Sequence, residues 1–236
     1  MKTYLAAAAL LLAPMTAHAQ AGLAGWTGEA SLTGNRTTGN TDTTDIGLGL
    51  KLARQGDIWR HEFQGSADFG RANGATNRER YLAGYQLERD IGDRLFAFGK
   101  GDLFFDDFGA FREGWFLGGG LGFDVLESSP TTWSVTGGAG YRSQTSAAGV
   151  TNEEFALDAG SDFDWQINDN VSLYDDAGIL WSESNTYLFN EIGLTADLMG
   201  NLAARASFRI DHNTDVPLGR EKTDTITRFG IVYTID

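Results

Sequence analysis

The chain has no cysteine. No disulfide can staple it and no thiolate can bind metal or act as a nucleophile, so its stability has another source. A lipid-bearing cysteine is excluded on the same count. Prolines number three against 31 glycines. Glycine without proline, spaced through β-patterned segments, is not the composition of disorder. It suits many strands that carry small side chains at chosen points. Past the first residues, no stretch reaches the roughly 18 apolar residues of a membrane-spanning helix. Basic clusters are missing too, and the formal charge is -14. That balance argues against nucleic acid as a partner. Histidine is scarce, with only His61 and His212 beyond His18.

What is present begins with a leader. Lys2 gives a positive start, Leu5 to Leu12 is a short apolar run, and Ala17-His18-Ala19 is a small-residue cleavage site. This pattern predicts a signal peptide over 1–19, Sec-type export, and a mature domain over 20–236.

From Gly25 onward, residues alternate in character with a period of two, in segments recurring about every 18 residues. Successive strand side chains point to opposite faces, so alternation of this kind marks strands with one apolar face. Twelve segments are predicted, from Gly25–Gly34 through Thr41–Arg54, Asp57–Gly70 and Asn77–Asp90 to the closing Thr223–Asp236. In Thr151–Gln166, for example, Phe155, Leu157, Ala159, Phe163 and Trp165 oppose Glu154, Asp158, Asp162 and Asp164. Asn170–Trp181 and Asn185–Asp197 are less regular, because Asp175 and Asn190 fall on their apolar faces. Each segment exceeds the roughly 9–11 tilted residues that cross a bilayer. An even number of strands, short turns on one side and longer connections on the other predict a transmembrane antiparallel up-and-down β-barrel. The longer connections, such as Asn35–Asn40, Arg71–Thr76 and Thr214–Glu221, would face outward from the cell.

The aromatic residues on the apolar faces sort into two belts. Trp26, Trp59, Phe123, Trp133, Trp165 and Tyr233 fall near the periplasmic ends. Phe69, Tyr81, Trp115, Tyr141, Phe155, Trp181 and Phe208 fall near the outer ends. Amphipathic rings at two membrane interfaces produce that distribution, and a soluble lipocalin-like carrier has no reason to. The last strand also resembles the C-terminal assembly signal of outer-membrane barrels, through Gly230, Tyr233 and Ile235. Outer-membrane lipid, lipopolysaccharide and the barrel-assembly machinery are therefore the expected partners.

The opposite faces carry the charge. Glu29, Lys51, Arg60, Glu62, Arg78, Arg80, Glu88, Lys100, Asp102, Arg112, Arg142, Asp158, Asp162, Asp164, Arg205, Arg209 and Arg228 are predicted to line the lumen. Charges of both signs in a narrow bore should pair across strands. The net acidity of the chain would favour small cations in any open passage. Asp158, Asp162 and Asp164 suit a divalent ion, or more simply the arginines of neighbouring strands. Glycines at 114, 118, 120, 122, 138 and 140 share inward faces and would make room for inward Phe96, Phe98 and Phe116. The GGGLG run lacks the strand-to-helix setting and Lys-Ser/Thr of a phosphate loop. No serine stands two positions from His212, so the same-face His-x-Ser pairing of barrel hydrolases is missing. No enzyme activity, cofactor or metal is expected.

TTGNTDTT (37–44), WRHEFQG (59–65), NRERY (77–81), NTY (185–187) and HNTDVPLGREKTDT (212–225) together resemble the YdiY-like family of salt-induced outer-membrane proteins, a domain-of-unknown-function family. The resemblance implies an outer-membrane β-barrel and brings no catalytic residues with it. The resulting expectation is a small porin-like channel or an envelope-structural protein with a salt-bridged lumen. An enzyme or receptor on the same barrel is the alternative.

Overall fold

The computed structural model describes residues 25–37 and 43–236. The leader and most of the TTGNTDTT motif lie outside these residues. Twelve antiparallel strands form one closed barrel. They are β1 (Thr27–Thr37), β2 (Thr43–Gln55), β3 (Trp59–Ala72), β4 (Ala75–Asp90), β5 (Leu95–Asp106), β6 (Phe111–Ser128), β7 (Thr131–Ser146), β8 (Thr151–Asn168), β9 (Val171–Ser182), β10 (Tyr187–Met199), β11 (Leu202–Asn213) and β12 (Thr223–Ile235). Every strand pairs with its neighbours in sequence, and β1 pairs with β12 to close the ring. Closure gives every strand a paired neighbour on both sides, which is what a β-structure in hydrocarbon requires. The closing seam runs from Gly28–Ile235 to Thr33–Gly230, shorter than the other seams.

The alternation along the strands separates an apolar outer wall from a charged bore. Ile46, Leu103, Leu117, Leu121, Leu157, Leu194 and Ile231 are all exposed on the outer wall. That inversion of the soluble pattern, apolar side chains outside, marks a surface solvated by lipid. Phe96, Phe98, Phe116, Ala203, Ile226 and Val232 are buried inside.

Several boundaries differ from the sequence reading. The hairpin between β3 and β4 is only Asn73-Gly74, with φ of +50° and +82°. Asn-Gly favours positive φ at both central positions, so it closes a two-residue hairpin and lets both strands run further. Strand β6 extends to Ser128 because Val125 bulges between Asp124 and Leu126, which restores the alternation beyond it. Connections on one rim stay short, such as 129–130, 169–170 and 200–201, whereas 214–222 stands on the other. The rim with the longer connections is the outer one.

Strands β6 and β7 meet through glycine. Gly118 faces Gly140 and Gly120 faces Gly138 in register. A Cβ on Gly120 would strike the main chain at Gly137 and Gly138, so only glycine allows this approach. On the same inward face, the Phe96 ring fills the space that a Cβ on Gly122 would take.

Candidate functional site

The lumen is the only place where the chain gathers its chemistry among the described residues, and the strand period puts it there. Inward positions of β3, β4, β10, β11 and β12 build one continuous network in the outer half. Arg228 binds Asp68 with two nitrogens, at 3.0 and 3.3 Å. It also lies 3.6 Å from Glu191, which Arg209 meets at 3.2 Å. Arg209 binds Asp211 at 3.0 Å, and Asp211 takes Arg80 at 2.9 Å. Tyr187 donates its hydroxyl to Asp211 and accepts from Arg209 at 3.1 Å. Strands β4 and β11 stand five places apart around the wall. The Arg80–Asp211 bond therefore spans the bore.

Nearer the periplasmic rim, the pairs are more separate. Arg205 clamps Glu29 with both terminal nitrogens, at 2.5 and 2.6 Å. Planar guanidinium against carboxylate is the strongest geometry such a pair can adopt. Lys51 reaches from β2 to Asp176 on β9, 3.0 Å away, and spans the bore at this second level. Arg60 serves Glu88 at 2.7 Å and lies within 4 Å of Asp90 and Asp124. Lys100 meets Asp158 at 2.6 Å at mid-height, and Arg78 meets Asp45 at 3.6 Å close to the outer rim. Aromatic rings back the cations: Phe96 lies 4.6 Å from the Arg60 guanidinium and Phe189 lies 4.5 Å from that of Arg209.

Other predicted lumen residues stand differently. Glu62, Asp102, Asp162 and Asp164 point inward with no cation within ion-pair distance among the described residues. Glu62, Asp162 and Asp164 are exposed despite facing inward, so the periplasmic part of the bore is open to water. Arg142 is buried and donates to the Ser182 hydroxyl and the Asn185 carbonyl rather than to a carboxylate. Arg112 is the extra residue of a bulge between Phe111 and Glu113, exposed at the outer rim. It forms no ion pair among the described residues. No three His, Asp or Glu side chains gather as a metal-binding group among them either.

The outer mouth is covered. Glu154 accepts from the Ser182 and Ser184 hydroxyls and from the Ser184 amide, drawing the 183–186 connection inward. Asn185 is buried there and donates to Asn213 at 2.7 Å. From the 214–222 connection, Arg220 donates to the Phe108 carbonyl at 2.7 Å. The two histidines sit on the outer wall instead. His61 contacts the Tyr85 hydroxyl and His212 the Thr223 hydroxyl, each at 2.8 Å. Among the described residues, no carboxylate or amide reaches the Nε2 of His212.

The sequence pattern does not assign Glu191, Asp176 and Tyr187 to the lumen, where the structure places them. Their signal was weak because Asp175 and Asn190, on the other face of the same strands, blur the alternation. Of the aromatics named from the sequence, Trp59, Phe69, Tyr81, Trp115, Phe123, Trp133, Tyr141, Phe155, Trp165, Trp181, Phe208 and Tyr233 are exposed on the outer wall, and Trp26 is half-buried. Phe69 and Tyr81 meet edge to face at 5.5 Å. The Trp133 indole donates to the Ser161 hydroxyl at 3.0 Å.

The family model described as "Protein of unknown function, DUF481" matches residues 30–235. The chain belongs to the DUF481 family. This DUF481 chain is 21% identical over 199 residues to "Uncharacterized protein YdiY" of Escherichia coli (strain K12), covering 84% of this chain and 79% of that one. The NanC porin superposes with a TM-score of 0.54 at 10% identity, over 88% of this chain and 100% of that one. The COG4313 outer membrane channel from Pseudomonas putida F1 gives a TM-score of 0.53 at 10% identity, over 89% and 95%. At such identity the likeness is one of fold. It supports an outer-membrane location for the DUF481 barrel, among porin and channel barrels.

Proposed function

We propose that the protein is a narrow outer-membrane channel for small cations, held closed in this conformation by its own side chains. The observation that carries the reading is the imbalance of the lumen. Among the described residues, each inward base except Arg142 has a carboxylate within 4.0 Å, whereas Glu62, Asp102, Asp162 and Asp164 have no base. Uncompensated acid in a narrow bore with low-dielectric walls attracts cations and repels anions. The water-accessible periplasmic part provides an entry, and the bridges at Lys51–Asp176 and Arg80–Asp211 are the barriers to be moved.

A second reading has its own support. Two ion pairs that cross the bore also describe a sealed, structural barrel that braces the envelope. Single-channel recording separates the two. The refolded mature protein is placed in a planar bilayer under a salt gradient, with heat-modifiable migration as proof of folding. Discrete steps with a cation-selective reversal potential carry the channel reading. A silent bilayer from folded protein refutes it and leaves the structural one.

A further inference from the structure

Asp175 and Asn190 face away from the lumen, on the wall that meets lipid. Asp175 lies in register with Phe163 and Ile192, and Asn190 with Ala177 and Ile210. The row of Asp175 is one outward step above that of Trp165 and Leu173, which places it within the apolar band. The Asn190 amide nitrogen donates to both oxygens of Asp175, at 3.1 and 3.0 Å. The Asn190 Oδ1 receives no donor among the described residues. Lipid tails supply no hydrogen bonds, so a half-satisfied polar pair in hydrocarbon is costly until a protein neighbour covers it.

Two more features coincide at this face. Beside the pair, the wall holds a shallow depression of about 520 Å³ with Ala159, Ser161 and Ala177 on its floor and Ile179, Leu188 and Ile210 around it. Small side chains let another wall approach closely within a membrane. The periplasmic aromatic belt is also interrupted here. Strands β7, β8 and β12 present Trp133, Trp165 and Tyr233 near that rim, whereas β9, β10 and β11 present Leu173, Leu198 and Leu202. Tyr187 and Phe189 of β10 both point inward.

We propose that the β9–β10 face is the contact surface of a homodimer, with a two-fold axis along the membrane normal near Asn190. Two copies inserted in the same direction bring equal heights together, so Asn190 meets the same residue of the second copy. An isologous contact needs a self-complementary patch. The Asn190 amide is one, since a single N–H shared by the two Asp175 oxygens leaves its second N–H to donate and its Oδ1 to accept. An acyl chain in the depression would satisfy neither.

The chain is free of cysteine, so single-cysteine reporters read out directly. Ile192→Cys lies directly across from Asp175, and Ala83→Cys lies on β4, half-way round the barrel. Under mild oxidation in native membranes, Ile192→Cys is expected to form a disulfide dimer and Ala83→Cys is not. Adding Asn190→Leu should cut the cross-linked fraction several-fold with heat-modifiable migration unchanged. Native mass spectrometry of the wild type should give twice the chain mass. A single-chain mass, equal cross-linking at both reporters, or cross-linking insensitive to Asn190→Leu overturns the proposal.

Discussion

Arg220 donates its guanidinium to the main-chain oxygen of Phe108 across 2.7 Å, joining two connections that leave the barrel wall six strands apart. The bond lies over the outer mouth like a latch. An exposed hydrogen bond contributes about 1 kcal/mol. Losing it through Arg220→Ala should move the closed-to-open ratio about fivefold. The measurement is open probability in single-channel recordings, with heat-modifiable migration as the folding control. An unchanged open probability would remove the latch from any account of gating.

Arg80 and Asp211 make a different prediction. Asp211 is 4% exposed and serves Arg80, Arg209 and Tyr187 at once. Replacing one partner of a buried network leaves the other charges uncompensated, at a cost of about 3–5 kcal/mol. Asp211→Asn should therefore lower the urea midpoint of the barrel in detergent micelles, followed by tryptophan fluorescence. The double change Arg80→Met with Asp211→Leu should recover part of the loss, because the uncompensated charge on Arg80 goes with it.

Glycines on the two sides of the β6–β7 seam differ in what they tolerate. Gly120 faces the main chain of Gly137 and Gly138, while a Cβ on Gly137 would meet nothing within 4 Å. Overpacking of this kind costs about 1–3 kcal/mol. Gly120→Ala should reduce the folded fraction on heat-modifiable gels, and Gly137→Ala should leave it unchanged. Equal effects would mean that the close approach of β6 and β7 has no energetic weight.

The acids without bases carry the selectivity. Asp162→Asn with Asp164→Asn removes two uncompensated charges from the water-filled part of the bore. The reversal potential in a salt gradient should shift toward the unselective value. Conductance at high salt should change less, because screening already weakens those charges there. A reversal potential that stays put would place the selectivity elsewhere.

The barrel was legible in the sequence because lipid outside and charge inside make every strand two-faced. Strand β8 shows this plainly, with Phe155, Leu157 and Trp165 against Asp158 and Asp162. Phe96 and Phe98 were placed inward although they are apolar, because they share a face with Lys100 and Asp102. Pairing was harder to read. Alternation fixes a face but not a height, so it cannot show that Arg80 meets Asp211 across the bore or that Lys51 meets Asp176. Bulges were hidden as well, and Arg112 left the lumen through one. Asp175 and Asn190 broke the pattern of β9 and β10, and with it the view of Glu191 and Asp176 on the opposite faces.

The closing seam between β1 and β12 has a consequence for descent. Twelve is even, so the first and last strands run antiparallel and the ring shuts with the same bonding as every other seam. Adding or losing a single strand would force a parallel seam and carry one end of the chain to the opposite rim. Relatives that keep both ends on the periplasmic rim can then differ in girth only by whole hairpins. Such a barrel changes size in steps of two strands.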